Sequence, residues 1–202
     1  LLTRVTVMIS LLVMGVFIMV LLMHTSPAMF VSTPKPSPED WKPRDITTDL
    51  LPAGRNGDLI KYGFLLIAES PKWIGPQVLD ENQRYAGNNL ACKNCHLQNG
   101  TQAGSGSWVG VTNRFPQFRG RENKIGTIEE RVNGCMERSM SGKKLPVESK
   151  QMKAIVAYME WLSEDVPEER EVEFKGFPKI QIPEMIADPV KGKLGYEAEC
   201  QL

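Results

Sequence analysis

The most constraining feature of this chain is the pentapeptide Cys92-Lys93-Asn94-Cys95-His96. It has the C-x-x-C-H spacing, in which both thiols bond covalently to the vinyl groups of a haem and the adjacent imidazole becomes the proximal iron ligand. Two intervening residues set both sulfurs along one edge of the macrocycle, and the histidine turns its ring under the iron. A redox C-x-x-C needs no following histidine, and a zinc site needs more ligands. The chain has only two histidines, and His24 stands at the end of an apolar run, far along the sequence from His96. Covalent haem c is therefore the expected cofactor, with Cys92 and Cys95 attaching it and His96 on the metal.

The helical periodicities suit such a domain. Residues 57–70 place Leu59, Ile60, Gly63, Phe64 and Ile67 at helical spacing, with Asn56 as the expected cap. Residues 100–126, rich in Gly, Ser, Asn and Pro, read as a long irregular loop, and no strands are expected. Thr127-Ile128-Glu129-Glu130 fits a capping box that starts a second helix, with Ile128, Val132, Met136 and Met140 every four residues and Gly142 at its end. A third helix over 149–163 sets Met152, Ile155, Val156, Met159 and Leu162 on one stripe, which reads as core. Small c-type haem domains cross a first helix bearing Gly and an aromatic with a last helix bearing aromatics, and Gly63-Phe64 against Tyr158 and Trp161 suits that crossing. The expected fold is mostly α, a class I cytochrome c-like domain.

Outside that domain the sorting of residues is uneven. No charged residue stands between Arg4 and Lys35, and residues 5–23 form a 19-residue apolar run interrupted by one Ser, one Thr and one Gly. At ~1.5 Å per residue a helix of this length approaches the ~30 Å of a bilayer core, so a single N-terminal transmembrane anchor is the preferred reading. A cleaved signal ending near Ser26-Pro27-Ala28 and a buried soluble helix are the rivals. Arg4 before the run favours an inside N-terminus, with the haem domain on the periplasmic side of the cell membrane. The expected organisation is a flank at 1–4, the anchor at 5–23, a Pro-rich tether at 24–45, the cytochrome c domain at 46–165, a charged linker at 166–190, and a further segment at 191–202. The chain carries 24 basic and 24 acidic side chains, and this balance argues against a nucleic-acid partner.

The second axial position decides between carrier and catalyst. A thioether raises the haem potential, and a thiolate lowers it. Met136, Met140, Met152 and Met159 are candidates, yet Cys135 is a third cysteine with no evident partner. Arg131, Cys135 and Ser139 are spaced by four on one helix face, and a guanidinium beside a thiol favours its charged form. A small buried core cysteine beside a solvated arginine is the plainer alternative, and both stand at this point.

The stretch RYAGNNLACKNCHLQNGT (residues 84–101), with Trp108-Val109-Gly110, Phe115-Pro116-Gln117-Phe118, Arg121-Glu122 and EERVNGCMERSMSGKKLP (residues 129–146), resembles the TsdA-type thiosulfate dehydrogenases, dihaem cytochromes c. The resemblance runs over roughly residues 55–165. It implies an oxidoreductase that couples two thiosulfate ions into tetrathionate, or runs the reverse reduction. It also implies His96 and Cys135 as axial ligands, with Arg121, Arg131, Ser139 and Lys143 as substrate-binding groups. Cys135 would either set a low potential or carry a sulfur adduct of the substrate. Residues 191–202 look like the opening of a second haem domain, with Cys200 as its first attachment cysteine and that domain, or another cytochrome, as redox partner. The competing expectations are a membrane-anchored electron-transfer subunit without substrate chemistry and, more weakly, a haem-based sensor.

Overall fold

The computed structural model describes residues 2–25, 37–181 and 186–199, and it divides into two compact units, Leu1–Pro36 and Ser37–Leu202. Ser26-Pro27-Ala28 and Cys200 lie outside the described residues. The first unit is one helix, α1 (Leu2–Thr25). Its described apolar side chains, among them Leu12, Phe17 and Met19, are exposed. Among the described residues no helix is long and apolar enough to cross a membrane, so the transmembrane helix expected over 5–23 is not supported.

In the second unit, α2 (Arg55–Ala68) packs across α5 (Lys150–Ser163). Gly63 makes the crossing possible: a Cβ there would stand 2.0 Å from the Ala154 carbonyl oxygen and 2.9 Å from Cβ of Tyr158. Beside this contact the rings of Phe64 and Tyr158 lie 5.9 Å apart. The α5 stripe packs inward as the spacing requires, with Met152, Ile155, Met159 and Leu162 buried and Val156 partly so. Ser149 caps α5 by accepting from Met152 N–H at 3.1 Å. A short helix, α3 (Ser70–Ile74), follows α2 and turns the chain towards the cysteines.

α4 (Ile128–Arg138) starts at the expected capping box, with Thr127 Oγ1 accepting from Glu130 N–H and Glu130 Oε2 from Thr127 N–H. Its end differs from expectation. The helix stops at Arg138, and the residue in left-handed conformation is Ser141 (φ 47°), after which Gly142 N–H closes onto the Met136 carbonyl at 2.9 Å. Gly142 is required for close approach instead, since a Cβ there would meet Tyr85 O at 1.9 Å. α2 likewise begins two residues before its expected start, capped by Gly54 at φ 74°, and Asn56 lies inside the first turn.

Two strands were not expected. β1 (Gln117–Arg119) and β2 (Lys124–Gly126) pair antiparallel with Phe118 opposite Ile125. Both of those side chains face solvent, so the hairpin leaves no alternating pattern to read. Packing also extends past both expected boundaries of the domain. Trp41, inside the expected tether, and Phe174, inside the expected linker, form a small second core with Val109, their rings 5.8 Å apart and edge-on. Phe174 ends α6 (Glu168–Phe174), which is pinned by Arg114–Glu171 at 2.9 Å and by Arg170 Nη1 donating to Pro38 O at 3.0 Å. α7 (Pro189–Glu199) closes the described chain with every residue exposed.

Candidate haem site

The attachment loop is built almost entirely from short local hydrogen bonds. Cys92–Asn94 is a single 3₁₀ turn, with Ala91 N–H donating to Asn94 Oδ1 at 2.6 Å and His96 N–H returning to Cys92 O at 2.9 Å. The loop docks on the start of α3 through Ser70, whose hydroxyl accepts from Cys92 N–H at 3.3 Å and lies 3.6 Å from the Cys92 sulfur. Cys92 is half-buried and Cys95 exposed, and both are free thiols. Burial pushes the Cys92 thiol up, and the Ser70 hydrogen bond opposes this.

His96 is fixed from two sides. Its Nδ1 lies 2.7 Å from the Gly106 carbonyl oxygen, which can only accept, so Nδ1 carries the proton and Nε2 is left for a metal. The ring stacks at 4.7 Å, tilted by 38°, on Trp108. Trp108 is in turn seated against Gly100 (φ 89°), where a Cβ would stand 2.7 Å from the indole. Burial holds the imidazole below its ordinary pKa; the Gly106 carbonyl works against this and the charge of Arg131 with it.

These residues fit haem c. Two unpaired thiols stand two residues apart, and the next residue is an imidazole committed to one tautomer with its second nitrogen free. The buried Trp161 Nε1, which has no acceptor among the described residues, is a donor of the kind a haem propionate satisfies. Ser70, Gly106 and Trp108 escaped the spacing argument: no rule of sequence marks a carbonyl ten residues after a histidine, and Trp108 is signalled only by the family resemblance.

α4 brings the other candidates. Asn133 grips the chain beyond the helix, donating to Leu145 O at 3.0 Å and accepting from Leu145 N–H at 2.8 Å, which fixes the rotation of α4. Val132 and Met136 then face the core, while Cys135 stays half-buried at its margin and Arg131 exposed. Cys135 comes close enough to Cys92 to raise its thiol pKa further, and Arg131 close enough to act on His96. Met136, Met140, Met152 and Met159 are all buried members of the main core. Core packing accounts for each of them.

The remaining cations are more dispersed. Arg121 is exposed in the turn of the hairpin. Its neighbours Arg119 and Arg138 are both engaged by Glu122, at 3.1 and 3.7 Å, whereas Arg121 and Arg131 have no ion pair among the described residues. Ser139 forms the C-cap of α4, and its carbonyl accepts from Asn88 Nδ2 at 2.9 Å, tying this end of the helix to the segment before the cysteines. Lys143 lies on the same segment, its ammonium 5.2 Å from the centre of the Tyr85 ring. The structure thus gathers Cys92, Cys95, His96, Cys135 and Arg131, with Ser139 and Lys143 anchored on residues 85–88 and Arg121 on the hairpin.

The model of the SoxA/TsdA cytochrome c domain matches residues 82–167, which take in the attachment loop, the hairpin, α4 and α5. The chain is 35% identical over 146 residues to a thiosulfate dehydrogenase of Thiomonas intermedia (strain K12), an alignment covering 72% of this chain and 44% of that protein. It is 36% identical over 155 residues to the thiosulfate dehydrogenase of Allochromatium vinosum, covering 75% of this chain and 54% of that one. The chain therefore spans about half the length of these curated relatives. Among solved structures, thiosulfate dehydrogenase (TsdBA) from Marichromatium purpuratum superposes with a TM-score of 0.65 over 79% of this chain and 34% of that one, at 24% identity, a likeness of fold. With its C-x-x-C-H loop and the α4 and α5 that follow, the segment from 82 to 167 matches the SoxA/TsdA cytochrome c domain, and its likeness to the thiosulfate dehydrogenases supports covalently bound haem c as its cofactor.

Proposed function

We propose that this chain oxidatively couples two thiosulfate ions into tetrathionate at the face formed by α4 and the attachment loop. The observation that carries the reading is that α4 presents Cys135 as a half-buried free thiol with an exposed Arg131 one helical turn earlier, their charges reaching Cys92 and His96. The relatives at 35% and 36% identity, named thiosulfate dehydrogenases, support it.

Haem c, when bound through Cys92 and Cys95, supplies the electron acceptor. His96 would hold it through Nε2, its ring set by Gly106 O and Trp108. Cys135 would be a second residue holding that group, and it would be the covalent carrier of substrate sulfur. Its sulfur would bond to the terminal sulfur of one thiosulfate, a two-electron oxidation for which the haem, with a further haem or acceptor protein, would supply the oxidant. The terminal sulfur of a second thiosulfate then attacks that same sulfur, releasing tetrathionate and restoring the Cys135 thiolate. Run backwards, the same steps reduce tetrathionate. Thiosulfate is a dianion, so bringing two together requires fixed positive charge. Arg131 provides it at the site, Arg121 and Lys143 add to it, and Ser139 donates a hydrogen bond.

Covalent attachment of haem c and the apolar run at 5–23, read as an export signal, support a place outside the cytoplasm. Cell fractionation would test that location separately. For the activity, the purified haem protein is assayed for thiosulfate-dependent ferricyanide reduction as wild type and as Cys135→Ala. Activity in the wild type alone is expected. Activity in neither form overturns the enzymatic reading in favour of an electron-transfer subunit.

A further inference from the structure

The segment after α6 touches the proximal histidine through one glycine. Gly106 donates its N–H to Gly176 O at 2.9 Å, and its own carbonyl accepts from His96 Nδ1 at 2.7 Å. The Phe177 ring closes over the same residue, so that a Cβ on Gly106 would stand 3.1 Å from Phe177 Cζ and 3.5 Å from His96 Nδ1. Gly106 has φ 60°, a conformation open chiefly to glycine, and glycine leaves the backbone on either side of it the least constrained of any residue. Both peptide planes flanking Gly106 thus depend on partners outside the loop: one on the arm, one on the ligand.

The arm is itself held. Phe174 is buried against Trp41 and Val109, Glu171 pairs with Arg114, and Arg170 donates to Pro38 O and lies 5.7 Å from the Trp41 ring centre. These contacts bring Gly176 to Gly106 from a part of the chain seventy residues away in sequence.

From this we infer that the arm, through Gly176 and Phe177, is a positioning clamp for the axial histidine, setting the direction of the Gly106 carbonyl and so the strength of the His96 Nδ1 hydrogen bond. This rests on the haem c reading and not on any thiosulfate chemistry. A carbonyl aligned on Nδ1–H makes the imidazole a stronger donor to iron and favours the oxidised haem. A clamp released lets the carbonyl swing, weakens that hydrogen bond and raises the potential.

Gly176 offers a clean test, because it has φ 74° and a Cβ there would meet nothing within 4 Å. Gly176→Val therefore perturbs backbone direction without a packing clash, and Gly176→Asn, which tolerates positive φ, is the conservative control. Full-length haem protein of each variant, and of Phe177→Ala, is titrated electrochemically and examined by EPR, with far-UV circular dichroism to confirm the fold. The expected result is a midpoint potential shifted upward and altered g-values in Gly176→Val, a smaller upward shift in Phe177→Ala, and wild-type values in Gly176→Asn. Wild-type potential and g-values in both Gly176→Val and Phe177→Ala overturn the clamp. A purified wild type without covalent haem at Cys92 and Cys95 overturns the cofactor reading instead, a separate result.

Discussion

The attachment loop and α4 meet at one site but are built on opposite lines. In the loop nearly every polar group is already committed: Cys92 N–H to Ser70, His96 Nδ1 to Gly106, Asn94 Oδ1 to Ala91 N–H, Trp108 N–H to Gly100 O at 2.7 Å. α4 is satisfied at its ends and on its buried face, by the capping box and by Asn133, yet it presents Arg131 without an ion pair among the described residues and Cys135 as a free thiol. A region with its hydrogen bonds closed is a socket, able to hold a cofactor in one orientation. One with a free, half-buried thiol and a guanidinium outside any ion pair keeps its interactions for something that arrives.

That contrast can be broken most completely on the socket side. Cys92→Ala together with Cys95→Ala is expected to abolish covalent haem, read as loss of haem staining on a denaturing gel. On the reactive side, Cys135→Ala should leave haem attached and reduce thiosulfate-dependent ferricyanide reduction to background, because the covalent carrier is gone. A variant that lost its haem would mean that Cys135 belongs to the socket. Asn133→Ala probes what connects the two, for it strands the Leu145 N–H and carbonyl in the core. A loss of about 2 kcal/mol of stability is expected in chemical denaturation. Arg131→Ala should act on substrate alone, lowering kcat/KM about tenfold by removing one charge-assisted contact, with the optical spectrum unchanged.

The smallest effect concerns the start of α4. Glu130 is held below the usual carboxylate range by Lys124 and then by Thr127 N–H. Because its folded pKa is the depressed one, its contribution is complete above the unfolded value of about 4.3 and fades as pH falls through the folded value. Amide exchange in the first turn of α4 should accelerate in that acid window while exchange in the attachment loop does not. Equal acceleration in both would erase the distinction between socket and presenting helix.

How far the sequence showed each region follows from the range of the forces involved. The α4 capping box and the α5 stripe were legible because caps and helical faces are set by residues three and four apart. The hairpin was not, since Phe118 and Ile125 pair outside any core. Nor was the left-handed Ser141, because the constraint that places a glycine next to it is the approach of Tyr85 from fifty-seven residues earlier.

By itself the sequence determined the chemistry on offer. The C-x-x-C-H spacing is covalent geometry over five residues, and the place of Cys135 four residues after Arg131 is helical geometry over one turn. Only the tertiary structure decided what that chemistry faces. It brought the charge of Cys135 to bear on Cys92, stacked Trp108 on His96, buried Trp41 and Phe174 from segments with no apolar period, and brought Gly176 to the glycine that orients the histidine. These pairings close loops of twelve to more than a hundred residues, and no local pattern records them. They exist because a carbonyl, a ring or a methylene found its partner only once α2 and α5 had crossed at Gly63 and the core had closed.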